Sequence, residues 1–315
     1  MNSFGKELAK ITAKETARTL SEAMVEKLND KVRKELDLPV RLGIAGAAAA
    51  SALVACSAVE KQSLTYARYE IDSEGKAGDN VRLLFLTDLH EKAFGPGNSR
   101  LLEYVDEADP DAVLIGGDMI IADKRKKNKI STKVTMQLCR DLVDKYPVFY
   151  AEGNHEQRIR DTRFRQALES MGVIYLTDET VDWKYNLAIT GITLDKGQYR
   201  AVNPDKPDVE KTLERIGSID PKKYNVMLAH SPLFIESYAG MGANLVLSGH
   251  FHGGTIRLPG DVGLMTPQYQ FFSSNVVGLK QFGRTFMIIS SGLGTHSVNL
   301  RINNKPQVVV VDIKK

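Results

Sequence analysis

The chain has 315 residues, of which 43% are hydrophobic and 26% charged, and its 42 basic and 39 acidic side chains leave a formal net charge of +3. That is an ordinary globular composition with room for one large domain or two small ones, so disorder is not the default. The balanced charge also argues against nucleic acid as a partner. The two cysteines, Cys56 and Cys139, have neither zinc-finger nor redox spacing, and no disulfide framework can be read from them. Histidine is more informative. There are six, and five of them follow apolar runs inside short polar, glycine-containing motifs.

Residues 1–39 read as an amphipathic helical segment. Leu8, Ile11, Ala17, Leu20, Met24, Val25, Leu28, Val32 and Leu36 recur at roughly helical spacing, and Pro39 marks a boundary. Residues 40–59 carry one charge, Arg41. The apolar stretch from Leu42 to Val59 matches the ~17–25 residues that span a bilayer, and basic residues precede it, which suits a cytoplasmic N-terminus. The expectation is a single-pass anchor in the cell membrane, with residues 60–315 outside the cytoplasm. Two alternatives stand beside it. Leu53-Val54-Ala55-Cys56 resembles a lipoprotein cleavage box, and an alanine-rich helix can also be buried in a soluble protein.

Residues 65–71 alternate like a strand, and 74–80 are turn-rich. From 81 onward short apolar strands alternate with helical patterns. Strands are expected at 81–86, 111–115, 147–150, 173–176, 187–192, 224–228, 245–247, 286–289 and 307–312. Helices are expected at 99–108, 132–144 and 158–171. This order predicts an α/β domain with stacked sheets and outer helices.

Five strands end in metal-capable residues: Asp88-Leu89-His90, Gly117-Asp118, Gly153-Asn154-His155-Glu156, His230, and Gly249-His250-Phe251-His252-Gly253-Gly254. Ligands gather at the carboxyl ends of strands in α/β folds, so these ends can converge. Imidazole nitrogen and carboxylate or amide oxygen suit a borderline divalent metal. Asp-x-His on an extended segment turns both donors to one side. The carboxylate of Asp118 can bridge two ions about 3.5–4 Å apart. Each motif alone is weak, since Asp-x-His is more often a capped turn. Five in this order are not.

These residues resemble the five ordered motifs of the calcineurin-like metallophosphoesterases, over about residues 64 to 315. The run from Gly253 to Pro259 and the glycines Gly292 and Gly294 are similar to the membrane-anchored bacterial branch of that family. The resemblance implies a four-layer αββα sandwich of two mixed β-sheets flanked by helices. It implies two divalent ions (Mn, Fe, Zn or Ni), with Asp88, His90 and His252 on the first, Asn154, His230 and His250 on the second, and Asp118 as the catalytic bridge. His155 would face the substrate as charge stabiliser or proton donor, and Glu156 would orient the neighbouring loop or His155. Met119-Ile120-Ile121 after Asp118 departs from the protein-phosphatase branch, which carries Asp and Arg there.

The activity so implied is hydrolysis of a phosphodiester, phosphomonoester or pyrophosphate bond by attack of a metal-bound hydroxide. A lipid or cell-envelope substrate is favoured by the anchor and by a similarity to UDP-diacylglucosamine hydrolases. A nuclease and a catalytically silent metal-stabilised membrane adaptor are the rival readings, and intact His155 argues against the adaptor. Arg158, His296 and Arg301 are candidate substrate contacts, beside Arg160 and Arg163. The basic run Lys124-Arg125-Lys126-Lys127-Asn128-Lys129 reads as a solvated loop or as a contact for anionic groups. Nothing in the sequence sets the oligomeric state.

Overall fold

The computed structural model describes residues 22–24, 26–27, 38–122, 130–159, 162–200, 202–217, 219–295 and 298–315, without the side chains of 38–42, 44 and 45. The chain divides into two compact units, Met1–Ala55 and Cys56–Lys315. In the first, Glu22, Ala23, Met24, Glu26 and Lys27 are helical. The rest of the expected helix up to residue 37, and the basic run from Lys124 to Lys129, lie outside the described residues.

A 25-residue helix, Leu38–Gln62, begins with Pro39 in its first turn, where a missing N–H costs nothing. Among the described residues no helix is long and apolar enough to cross a membrane. The anchor expected at 40–59 is helical but is not supported as a span. Its described side chains are mostly alanine and serine, each of which withdraws little apolar surface from water.

Two six-stranded sheets make up the second unit. The first runs Thr65–Asp72, Gln307–Lys314, Val81–Leu86, Ala112–Ile115, Val148–Ala151, Ile174–Leu176. Its members are parallel except where Gln307–Lys314 meets Val81–Leu86. The second runs Gly278–Phe282, Thr285–Ile289, Leu245–Ser248, Tyr224–Ala229, Leu187–Ile192, Glu179–Trp183. It is parallel in the middle and antiparallel at both edges.

The two sheets pack face to face through Leu83, Phe85, Leu114 and Phe149 from one and Ile189, Val226, Leu228 and Leu247 from the other. Helices Ser99–Ala108, Lys133–Val143 and Arg163–Ser170 cover the outer face of the first sheet, and Val209–Ile216 and Ile235–Gly240 that of the second. This is the four-layer sandwich. Leu83, Leu84, Phe85 and Leu86 are all fully buried, because a strand covered on both sides reads as a continuous apolar run. Each such side chain contributes about 1.5–3 kcal/mol.

The expected helix at 158–171 is shorter. A 3-10 turn, Glu156–Arg158, comes first, and the α-helix spans Arg163–Ser170. The side chain of Glu156 holds that first turn against neighbouring backbone, as described below.

Candidate metal centre

Parallel strands of both sheets end at one edge of the sandwich, and there the five motifs meet. The backbone leaves the strand conformation immediately. Asp88, His90, Asp118, His250 and His252 all have left-handed φ, from 48° to 70°. The extended geometry expected for Asp-x-His is therefore not the one found. A tight left-handed loop turns both side chains inward instead. Such a conformation costs a non-glycine residue of order 1–3 kcal/mol and persists only where surroundings enforce it. The enforcement is visible: Asp88 N donates to Gly117 O at 3.0 Å, and His90 N to Asp118 O at 3.1 Å.

Each of the two aspartates has one oxygen tied to backbone and one turned to the histidines. Asp88 Oδ2 accepts from His250 N at 3.0 Å and from Thr87 Oγ1 at 3.1 Å. Asp88 Oδ1 is buried with no hydrogen-bond partner among the described residues, 3.4 Å from His252 Nε2 and 3.7 Å from His230 Nε2. Asp118 Oδ1 accepts from His155 N at 2.7 Å. Asp118 Oδ2 lies 3.3 Å from His230 Nε2 and 4.0 Å from His90 Nε2, between the two histidine groups.

The imidazoles are oriented from behind. Nδ1–H of His90 donates to Ile120 O, that of His230 to Gly116 O and that of His252 to Gly294 O, at 3.3, 2.7 and 3.3 Å. The Nε2 lone pairs then face the centre, the arrangement of a metal-ligating histidine. His90 Nε2 and His252 Nε2 stand 3.2 Å apart, and two lone pairs at that distance call for a cation between them.

Titration tells the same story. Burial raises Asp88 to about 6 against the pull of His230. Burial would also raise Asp118, but the charges of His230 and His155 outweigh it and hold the carboxyl well below its usual range. His230 would be lowered by burial, yet Asp118 and Asp88 push it up to about 9. Asp118 keeps its charge by holding a proton on His230, while burial works against the charge of Asp88, and a divalent cation bound here would stabilise both carboxylates in place of that proton.

The donor set fits two ions. Asp88, His90 and His252 form one cluster and Asp118, His230 and His250 a second, each with ligand atoms within 4.8 Å of one another. Asn154 Oδ1 is buried with no hydrogen-bond partner among the described residues, as an amide ligand awaiting a cation would be.

His155 also clusters with His90 and Asp118, but its surroundings differ. Its Nδ1 accepts from Ala122 N at 3.0 Å, so Nε2 carries the proton of the neutral ring. Arg158 Nη1, also a donor, lies 3.1 Å from that Nε2; two donors so close call for an anion set against both, and a guanidinium is a poor neighbour for a metal–nitrogen bond. Arg158 Nη1 also donates to Ala122 O at 3.2 Å. With Arg158, His155, Asn154 and His250, the cavity is lined by Tyr199, Arg200 and Tyr269.

Arg301, expected at the substrate, is fully buried, and its guanidinium donates to the carbonyls of Ser291, Gly292, Gly294 and Asn304. Its visible work is holding the loop behind His252. Arg163 is exposed, and His296 and Arg160 lie outside the described residues.

Several positioning residues surround the candidate ligands, and all but Glu156 carry no sequence signal. Glu156 Oε2 accepts from Asp118 N and Gly153 N, and Oε1 from Met119 N and Tyr150 Oη. It orients the loop, as the motif implied. Burial and the nearby Asp118 raise it to about 7. Glu91, one residue beyond His90, accepts from Val134 N, Thr135 N and the hydroxyls of Ser131 and Thr135, capping the helix Lys133–Val143. Tyr199 is buried against His250 and His230, with ring centroids 5.2 and 5.8 Å away. Asn304 Nδ2 donates to His252 O at 2.6 Å.

Residues 81–254, more than half of the chain, match the family model of calcineurin-like phosphoesterases. The chain is 26% identical to the uncharacterised protein YpbG of Bacillus subtilis, over 76% of this chain and 84% of that protein. It is 27% identical to an uncharacterised metallophosphoesterase of Aquifex aeolicus, over 83% and 96% of the two chains. It is also 27% identical to the phosphodiesterase YaeI of Escherichia coli, over 74% and 82%. With the dimetal donor set at the strand ends, the chain belongs to the calcineurin-like phosphoesterases, hydrolases of phosphate esters that work through a dinuclear metal site.

Proposed function

We propose that this protein hydrolyses a phosphodiester, with Asp88, His90 and His252 holding one divalent ion, Asn154, His230 and His250 a second, and Asp118 bridging. The observation that carries this reading is the position of Asp118 Oδ2 between His230 and His90, beside an Asp88 Oδ1 that has no hydrogen-bond partner among the described residues. Bound there, two divalent ions supply Lewis acidity and a water nucleophile at neutral pH. The chain's own residues do the rest. Arg158 and the Nε2–H of His155 present two donors side by side to the phosphoryl oxygens. His155 Nε2–H is also placed to protonate the departing oxygen. Arg200 adds a second guanidinium at the mouth of the cavity. The phosphodiester is chosen over the monoester and pyrophosphate because YaeI, a relative over most of the chain, is named a phosphodiesterase.

The test is turnover of bis(p-nitrophenyl) phosphate against p-nitrophenyl phosphate by protein loaded with Mn, Fe, Zn or Ni. The diester should be preferred and chelator should abolish both activities. A metal-replete protein inert on every phosphate ester sinks the reading.

The membrane location is proposed on sequence grounds: one charge between residues 40 and 59, and basic residues before them. Full-length protein should stay with membranes through an alkaline wash, and a reporter fused after Lys315 should be active only outside the cytoplasm. Release by the wash alone sinks this placement.

A further inference from the structure

The cavity over the metal centre does not end at the charged residues. His252, Pro267 and Tyr269 line it and also line an adjoining cleft of about 550 Å³, open mouth included. The two hollows are neighbours across those three residues and differ sharply in chemistry. The metal side carries Asp118, His155, Arg158 and Arg200. The far side is walled by Met265, Pro267, Val298 and Leu300.

Thr266, Thr295 and the Nη groups of Arg301 on the far side are engaged by the protein itself. Thr266 Oγ1 accepts from Gln270 N at 3.2 Å, and Thr295 Oγ1 donates to Asn299 Oδ1 at 2.9 Å. The Nη groups of Arg301 are held by backbone carbonyls. What remains for a ligand is a largely aliphatic surface.

That surface continues outward. Val262–Met265 pairs with Phe271–Ser273 in a small three-stranded sheet, and Met265 of the cleft stands opposite Phe271 in that pairing. Tyr269, Phe271 and Phe272 are 69%, 61% and 66% exposed. Three adjacent large rings left in water beside a catalytic cavity need an explanation that isolated exposed apolar residues do not.

We propose that this cleft is a subsite for the aliphatic chain of an amphiphilic phosphate ester, whose phosphate sits over the metal centre while its hydrocarbon runs past Tyr269 between Met265, Val298 and Leu300. The inference rests on the phosphoesterase reading and specifies its substrate class. A nucleoside ester fits less well, because a base needs hydrogen-bonding groups along the wall, and Thr266, Thr295 and the Arg301 Nη groups there are already engaged.

The experiment uses the full-length protein loaded with Mn²⁺. Binding of ethyl, butyl, hexyl and octyl phosphate, each below its micelle concentration, is measured by titration calorimetry. A fully buried methylene strengthens binding by roughly fourfold, and a partly open cleft captures part of that. Octyl phosphate should therefore bind at least about 30-fold more tightly than ethyl phosphate. Val298→Asp and Leu300→Asn should each flatten the series and leave ethyl phosphate within about twofold of wild type, since neither residue touches the metal centre. Val298 is 43% exposed, so its replacement is tolerated by the fold.

Equal affinity along the series overturns the proposal, as does a steep series that survives both substitutions. Tighter binding of adenosine 5′-monophosphate than of octyl phosphate overturns it in favour of a nucleotide. The hydrolytic reading is scored separately, by turnover of bis(p-nitrophenyl) phosphate in the same preparation. A steep series without turnover supports the subsite and removes the proposed activity.

Discussion

His155 sits next to Asn154 in sequence, yet their surroundings assign them different tasks. Asn154 offers a buried amide oxygen without a partner among the described residues, and His155 offers a proton on Nε2 beside Arg158. Replacing His155 with Ala should leave metal content unchanged and lower turnover by roughly 10²–10⁴. Esters with good leaving groups should suffer less if His155 protonates the departing oxygen, and equally if it only offsets charge. Loss of an ion, read by elemental analysis, would instead make His155 a ligand. Asp118→Asn should behave in the opposite way. Its Oδ2 serves both histidine groups, so metal content should fall at both positions together, and a variant retaining two ions with full turnover would remove the bridge. Glu156→Gln tests positioning. Its carboxylate accepts four hydrogen bonds from buried donors, and an amide must turn an N–H toward one of them. A loss of about 1–3 kcal/mol in stability is expected, measured by denaturant unfolding of the metal-free protein. An unchanged midpoint would mean that those donors find other acceptors.

At the scale of elements, legibility followed burial. Val81–Leu86, Ala112–Ile115, Tyr224–Ala229 and Leu245–Ser248 are covered on both faces, so they stood out as apolar runs, and the metal-capable residues behind them marked their ends. Glu179–Trp183 was missed because it is a half-exposed edge strand with two acids in five residues. The small sheet of Arg257–Leu258, Val262–Met265 and Phe271–Ser273 was missed because its strands are two to four residues long. In the site, the candidate ligands were readable since few residue types bind such metals. Glu91, Tyr199 and Asn304 were not, because nothing local distinguishes a carboxylate capping a distant helix from a solvated one. The left-handed loops were hidden for the same reason. Glycine shows where they need room: a Cβ on Gly249 would collide with Asp88 Oδ2 and with Thr87 Oγ1. Gly249→Ala should therefore displace Asp88 and weaken metal binding at least tenfold, with a native circular-dichroism spectrum. Unchanged affinity would show that the loop can yield.

For the whole molecule, the boundary between the two units falls inside one helix, and the contacts of its last turns decide which part the catalytic unit needs. Ser57 Oγ accepts from Arg301 N at 2.9 Å, and Glu60 Oε1 from Asn304 N at 2.5 Å. Lys61 Nζ donates to Asn299, Arg100 Nη2 to Gln62 O, and Lys92 Nζ to Lys61 O. The side chains of Lys92 and Arg100 thus satisfy carbonyls that the end of any helix leaves open. The far partners of these bonds matter more. Arg301 and Asn304 hold the carbonyls of Gly294 and His252, and Gly294 N donates to Asp88 O at 2.6 Å. A chain of hydrogen bonds therefore runs from residues 57–62 to Asp88 and His252, two proposed metal ligands. Removing residues 1–55 cuts none of these bonds and should leave metal content and kcat on a water-soluble diester within about twofold of the full chain. Removing residues 1–63 strands buried donors of Arg301 and Asn304, at roughly 1–3 kcal/mol each. That shorter protein should unfold at lower denaturant concentration and bind metal more weakly, most of all at the ion held by Asp88 and His252. If both truncations unfold at the same concentration, the helix end is a passive tether, and the loop that carries Arg301 must be held by the remainder of the second unit.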